Sequence, residues 1–324
     1  MKARNTSILL ASLLIVTAIS AGWAREDYPN KQVQLICPYA VGGITDLSAR
    51  MLAEKMGEFL GQPVIVVNKP GAGAALGTGF VAGSKPDGYT ILTTWTGVAV
   101  LVPLITPNLP YKMTDLTPIG KALSVDQLLL VNKNLPVKTV AELIAYARQH
   151  PKTLSGGTAG VGTLPHMVLE QLNGVGQIDI QHIPYNSELQ AVTALAGDHV
   201  QVSVLTLTIA DPHIRSGAIK ALAVLSSKRD PAIPQVSTSA EQGYAELMAS
   251  IYNILFAPAK TPAPVLKRLE EVLEKTLRDK ETRDKLEKMG YKIDYMNAKS
   301  TQGFLEAETK KWSSVVKQAN IIMK

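Results

Sequence analysis

The sequence predicts an α/β protein of mainly parallel sheets, covered by helices on both faces and arranged in two halves. Three observations carry that prediction. Short β-branched runs alternate with helix-period segments along most of the chain. The helical stretches between strands are long enough to serve as parallel crossovers. Two glycine-rich strand-to-helix junctions, Gln34–Arg50 and Ser155–His166, fall one in each half.

The first residues stand apart from the fold. Lys2 and Arg4 precede an apolar run, Ile8–Ile19, and Gly22 and Ala24 occupy the −3 and −1 positions of a cleavage site. This is the pattern of a secretory signal peptide, residues 1–24, too short and wrongly flanked for a membrane anchor. Cleavage leaves 324 − 24 = 300 residues, enough for two domains. Cys37 is the single cysteine, so no intrachain disulfide is possible, which suits a periplasmic protein held by core packing. Losing Lys2 and Arg4 lowers the formal charge from +6 to +4. Much of that excess lies on Glu-rich C-terminal helices, so it reads as solvated helix faces and not as a nucleic-acid surface.

Val33–Cys37 is an apolar strand, followed by the turn Tyr39–Gly43 and a helix over Asp46–Leu60. Its apolar positions 47, 51, 52, 56, 59 and 60 keep a helical period, and Gly61 is its stop. Such a junction converges backbone N–H groups and the positive end of a helix dipole, a seat for a small anion. Val64–Val67 is a second strand. The loop Asn68–Gly77 has glycines at 71, 73 and 77, one residue off dinucleotide spacing. Tyr89–Thr94 is a strand whose carboxyl end carries Thr94, Trp95 and Thr96, the edge at which open α/β sheets bind ligands.

Ile119–Val131 reads as a strand crossing between halves, and Thr139–Gln149 as an amphipathic helix. The second glycine loop, Leu154–His166, then feeds a helix at Met167–Leu172, with Pro165 in its first turn. Ile178–Ile183 is a strand ending in Pro184 and Tyr185; Leu189–Ala196 is a helix; Val200–Leu207 is a strand. Asp211–Ser216 is a short helix, and Ala218–Leu225 a strand returning to the first half. Tyr252–Ala257 is a further strand. Pro264–Met289 and Thr301–Ile322 are Lys/Glu-rich covering helices.

Catalytic signatures are missing. There is no G-x-S-x-G elbow, no Walker lysine, and no two histidines three or four apart. No cofactor is expected. His166, in the first turn of its helix, is expected to support the loop by hydrogen bonding, with ligand contact as the alternative. Asp46 is similarly placed to favour its helix dipole. Tyr39 and Trp95 end strands and are assigned to the pocket.

These motifs together resemble the periplasmic solute-binding receptors of tripartite tricarboxylate transporters, the Bordetella uptake family. The resemblance rests on Tyr28-Pro29, Pro38-Tyr39 through Gly42-Gly43 to Asp46, and Asn68 to Gly73. It continues through Pro86 to Tyr89, Gly160 to Thr163 with His166, Pro184-Tyr185, Ala221 to Ala223 and Phe256 to Pro258. It implies a two-lobed, type II-like periplasmic binding fold (a Venus flytrap), with each lobe a mainly parallel sheet. Residues 25–124 and 227–324 form one lobe and residues 125–226 the other.

The resemblance also implies a carboxylate ligand held partly through waters. One jaw is Tyr39, Ala40, Val41, Gly42 and Gly43, with Asp46 also assigned to ligand binding. The facing jaw is Thr158, Ala159, Gly160, Gly162, Thr163 and His166, and Thr94–Thr96 and the turn after Tyr185 close the sides. The expected partners are a small organic carboxylate and the membrane permease subunits; the receptor is expected to be a monomer, and not an enzyme. A sensory receptor of the same fold is the alternative.

Three departures bear on the ligand. The Lys-Gly or Arg-Gly common after the proline–tyrosine pair is Asn186-Ser187-Glu188 here, the common Asp-Asn is Leu205-Thr206, and a frequent tyrosine is Gly156. They predict apolar side walls, with Trp95, Leu205 and Leu207 as linings, and either the leucines or Thr206 facing the ligand by strand alternation. Glu188 is expected to face water at its helix start, with a ligand role as the alternative. A ligand with one held carboxylate and an apolar or aromatic body follows, with citrate disfavoured.

Overall fold

A computed structural model describes residues 28–321; the signal-peptide assignment lies outside the described residues. In chain order the elements are β1 (Val33–Cys37), α1 (Ile44–Leu60), β2 (Val64–Asn68), α2 (Ala75–Ala82) and β3 (Thr90–Trp95), then a π-helical stretch (Gly97–Leu101) running into α3 (Val102–Ile105). Next come β4 (Leu116–Asn132), α4 (Val140–Gln149), β5 (Ser155–Thr158), α5 (Leu164–Gly176), β6 (Gln181–Pro184), α6 (Glu188–Ala196), β7 (Val202–Thr206), α7 (Leu207–Arg215) and β8 (Ile219–Val224). The chain ends with β9 (Ser250–Pro258), α8 (Ala263–Arg278), α9 (Lys280–Lys288), β10 (Lys292–Asn297) and α10 (Ala298–Gln318).

The strand order is β2-β1-β3-β9-β4-β7-β5-β6, with β10 and β8 also paired to β4. The outer ladders are parallel: β1 with β2 and β3, and β5 with β6 and β7. Every ladder through β4, and that between β3 and β9, is antiparallel, so the sheet is mixed and not mainly parallel at its centre. β4 is buried at all but one of its 17 positions and belongs to both strand groups. Its first half pairs with β9 and β10, its second with β7 and β8. The strand is not one apolar run: Lys121, Ser124, Asp126 and Gln127 are buried polar residues at its middle, between apolar stretches at either end.

Two predicted features differ. The segment 264–289 is broken at Asp279, whose Oδ1 accepts the Thr282 amide at 2.9 Å and caps α9. The helix predicted at Asp211 starts at Leu207, directly after β7. No helix among the described residues is long and apolar enough to cross a membrane.

The register brings the strand ends to either side of one short interval of β4. β1 and β3 run in the direction of β4, and Trp95, Asn253 and Leu123 lie at one level. β5 and β7 run the opposite way, and β7 ends with Thr206 opposite Gln127. Four residues of β4 separate these levels, roughly 13 Å at strand rise. In that interval Asp126 is buried, accepts from Ser250 Oγ at 2.8 Å, and pairs with Lys292 at 2.5 Å. Lys292 also reaches Asp230 at 3.0 Å, so one cation ties β4, β10 and the segment after β8 together.

Candidate functional site

The first loop is built from its hydrogen bonds. Gly42 has φ +83°, a left-handed conformation that favours glycine, and this turns its amide onto Asp46 Oδ2 at 2.9 Å. The same carboxylate accepts Arg50 Nε at 3.0 Å, Arg50 Nη2 at 2.9 Å and Asn68 Nδ2 at 2.8 Å. Asn68 donates as well to the Tyr39 carbonyl at 3.0 Å, clamping both ends of the loop. Asp46 is 1% exposed. Burial alone would raise its pKa, but the bonds from Arg50, the Gly42 amide and Asn68 outweigh it and hold the carboxyl below its usual range. With both oxygens doubly bonded, Asp46 braces the loop and has no lone pair left for a ligand.

The first helical bond of α1 runs from the Leu47 amide to the Gly43 carbonyl, at 3.0 Å, and no side chain caps the helix. The amides of residues 43–46 therefore lack helical acceptors and are left as donors at the positive end of the helix. Gly77 of the second glycine stretch is a buttress: a Cβ there would lie 2.7 Å from the Lys69 carbonyl and 2.8 Å from Pro38 Cβ.

The second loop repeats this design with different chemistry. Gly162 has φ +77°, and its amide donates to His166 Nδ1 at 3.1 Å, again four residues on and in the first turn of a helix. His166 thus supports the loop, with Nδ1 as acceptor and its proton on Nε2, 3.7 Å from Glu170. The Met167 amide makes the first helical bond of α5, to Thr163, leaving the amides of residues 163, 164 and 166 open, since Pro165 has none. Thr163 Oγ1 donates to the Gly160 carbonyl at 2.8 Å. Thr158 is buried, and its Oγ1 lies 2.6 Å from His182 Nε2. The His182 ring stacks on His166 at 3.8 Å. Burial, then the neighbouring His166, push His182 down to about 4.

At the tip of each loop the residue before the turning glycine is an exposed valine. Val41 is 71% and Val161 49% exposed. Ala40 is exposed beside Val41, and Ala159 and Gly160 are half-buried at the base of the other loop.

The side-wall assignments need correction. Leu205 is fully buried, packed with Leu128, Leu130 and Val192, and cannot line a cleft. Leu207 is half-buried and belongs to α7, not to the strand. Trp95 is 6% exposed; its Nε1 donates to Thr45 Oγ1 at 2.8 Å and its ring stacks on Tyr291, so it pins α1 to β3. Thr96 Oγ1 accepts the Tyr252 amide at 3.2 Å. Thr94 is buried, with its hydroxyl against the Tyr39 phenol. The half-buried Tyr39 lies beside Thr94, and desolvation of its phenol pushes the pKa up to about 12.

Glu188 does not face water freely. Its Oε2 accepts the Thr206 hydroxyl at 2.6 Å and the Thr206 amide at 3.2 Å, and burial raises its pKa against those bonds. Tyr185 packs on Gly157, where a Cβ would stand 3.1 Å from its ring, and its amide donates to the Thr158 carbonyl. Two cavities, of about 670 and 870 Å³, flank the Ser124–Asp126 interval of β4. The second is lined by Val125, Leu207, Thr208 and Tyr291, between the end of β7 and the ring that stacks on Trp95.

Arg50, Asn68 and His182 escaped the sequence reading. Arg50 stands four residues after Asp46, a visible helix pairing. Asn68 and His182 become neighbours of the loops only through the parallel register, Cys37 with Asn68 and Gly156 with His182.

The model of the tripartite tricarboxylate transporter family receptor matches residues 48–321. BugT of Bordetella pertussis is 33% identical over 99% of this chain and 100% of its own. An R. palustris protein solved with adipate superposes with a TM-score of 0.76 at 31% identity, covering 91% of this chain and 99% of that one. A TctC solute-binding protein from Polaromonas, solved without ligand, has a TM-score of 0.80 at 25% identity, over 90% and 99% of the two chains. The family's members are solute-binding receptors and not enzymes, and this chain belongs to it: the tripartite tricarboxylate transporter receptor family.

Proposed function

We propose that this chain is a periplasmic receptor that captures a small organic acid by one carboxylate and delivers it to the permease of a tripartite tricarboxylate-type transporter. The observation that carries the reading is the matched pair of loops. Each presents uncapped helix amides behind a glycine turn braced from below, by Asp46 in one and His166 in the other. Backbone donors bind an anion without demanding a particular body, and ordered waters extend their reach. The relatives solved with adipate and with malate, the latter MatC from Rhodopseudomonas palustris, support a carboxylate.

Residues 28–124 with 250–321 form one lobe and 125–226 the other, closing about the middle of β4; the segment 227–249, expected in the first lobe, is bonded to the second through Thr238 with Val224 and Gln242 with the Val140 amide. The receptor acts as a monomer. Preference for an apolar body rests on Val41 and Val161, the exposed tips of the two loops, now that Leu205 and Trp95 are accounted for in the core. Closure over a ligand would bury what is still exposed of both valines, 71% of Val41 and 49% of Val161, contributing about 1–2 kcal/mol each.

Native mass spectrometry of protein purified without added ligand should show a co-purified organic acid. A thermal-shift screen should then rank medium-chain and benzoate-like monocarboxylates above citrate. Stabilisation by citrate alone would refute the apolar preference. No response to any carboxylate, with no acid co-purified, would refute the receptor reading for carboxylates altogether.

A further inference from the structure

We propose that Glu188 reads the far end of the ligand, favouring a hydrogen-bond donor there, an ammonium above all, and excluding a second carboxylate. The inference rests on the receptor reading above and narrows its ligand class to monocarboxylates that end in a donor.

The geometry begins with the strand order β7-β5-β6. Glu188 opens α6, just after β6, yet its carboxylate is bound by Thr206 at the end of β7. A bridge between those elements spans the carboxyl end of β5, which carries Thr158 and the second glycine loop. Thr158 lies one residue past the Gly157–Ser203 pair, level with Val204. Thr206 therefore stands two residues further towards the gap, roughly 7 Å along the strand direction. A ligand seated by one carboxylate on the 163–166 amides extends its other end past this group.

The chemistry of the group is asymmetric. Both Thr206 bonds land on Oε2, so Oε1 takes no hydrogen bond from the described residues. The Thr206 hydroxyl and amide are its bonded partners, and no lysine, arginine or histidine among the described residues forms an ion pair with it. A half-buried carboxylate with one oxygen uncommitted and no counter-charge attracts a donor and repels an anion.

Calorimetric titration of the purified full chain with hexanoate, 6-aminohexanoate and adipate, and with their four- and eight-carbon counterparts, separates the possibilities at constant chain length. In the wild type the amino acid should bind at least tenfold more tightly than the diacid of equal length. Glu188→Gln keeps an acceptor for Thr206 and should shrink that ratio at least tenfold; Glu188→Lys should invert it. A diacid preference in the wild type, or a ratio unmoved by both substitutions, overturns the proposal. If hexanoate binds in either case, the receptor reading survives. If no acid in the series binds, this proposal and the carboxylate reading fall together.

Discussion

Replacing Asp46 by Asn tests whether the first loop is held from beneath. The side chain keeps its shape but loses its charge and one acceptor. Two of four donors, among Gly42 N, Arg50 Nε, Arg50 Nη2 and Asn68 Nδ2, then face an amide NH2. Arg50 is 48% exposed and can turn to water, so its share is small. The remaining loss is one or two hydrogen bonds to a charged group, at about 1.5–3 kcal/mol each, giving an expected destabilisation of about 2–3 kcal/mol. For a chain of this size that corresponds to a fall in Tm of roughly 3–5 °C. The loop between Tyr39 and Gly43 should loosen as well, and the ordering it then needs on binding should raise Kd about fivefold to tenfold. Differential scanning fluorimetry gives the first number and calorimetry with the co-purified acid the second. An Asp46→Asn variant with unchanged Tm and unchanged affinity would show that Asp46 braces nothing.

Four other outcomes are expected. Gly42→Ala forces a Cβ into φ +83° with open space around it, so its cost is purely conformational, about 1–2 kcal/mol, whereas Gly43→Ala at φ −74° should stay within about 0.5 kcal/mol in urea unfolding. Lys292→Met leaves the buried carboxylates of Asp126 and Asp230 facing each other, and should cost about 2–4 kcal/mol, of which Asp126→Asn in the same chain should restore part. Gly290→Ala combines φ +84° with a Cβ 2.7 Å from Thr208 Oγ1, so it should destabilise by more than the backbone term alone, and Thr208→Ala should recover the difference. His182 has a folded-state pKa of about 4 against 6.5, so its contribution is complete above pH 6.5 and lost as the pH falls towards 4. Allowing for its partial exposure that is about 2 kcal/mol at most, and His182→Asn should flatten the Tm profile over this window.

Local features were legible in the sequence, and pairings were not. The run Val33–Cys37, the turn at Gly42 and the helix ending at Gly61 are each specified by neighbouring residues, and the structure reproduces them. β10 escaped notice because KIDYMN is half-buried and charged, with neither an apolar run nor a clean alternation. The antiparallel centre of the sheet was hidden because β9 returns from far along the chain to lie between β3 and β4. Strand alternation separates Leu205 from Thr206 but does not say which one faces the core; packing against Leu128 and Leu130 decides it. Asp46 and His166 are unlike as residues, so their shared duty shows only in the two amide bonds that end on them.

The double membership of β4 bears on how the chain folds. Leu116 pairs with Pro258 and Ser124 with Lys292, so the first half of this strand waits for partners from the last quarter of the sequence. Contacts of such long separation impose their loop-closure entropy before they return any stabilisation, which makes folding slow. A nascent chain that stops short of β9 can pair the second half of β4 with β7 and β8 but leaves its first half without partners. Truncation before Ser250 should therefore give a protease-sensitive chain instead of a smaller receptor. The strand that joins the two groups is also what withholds the native state until nearly the whole polypeptide is present.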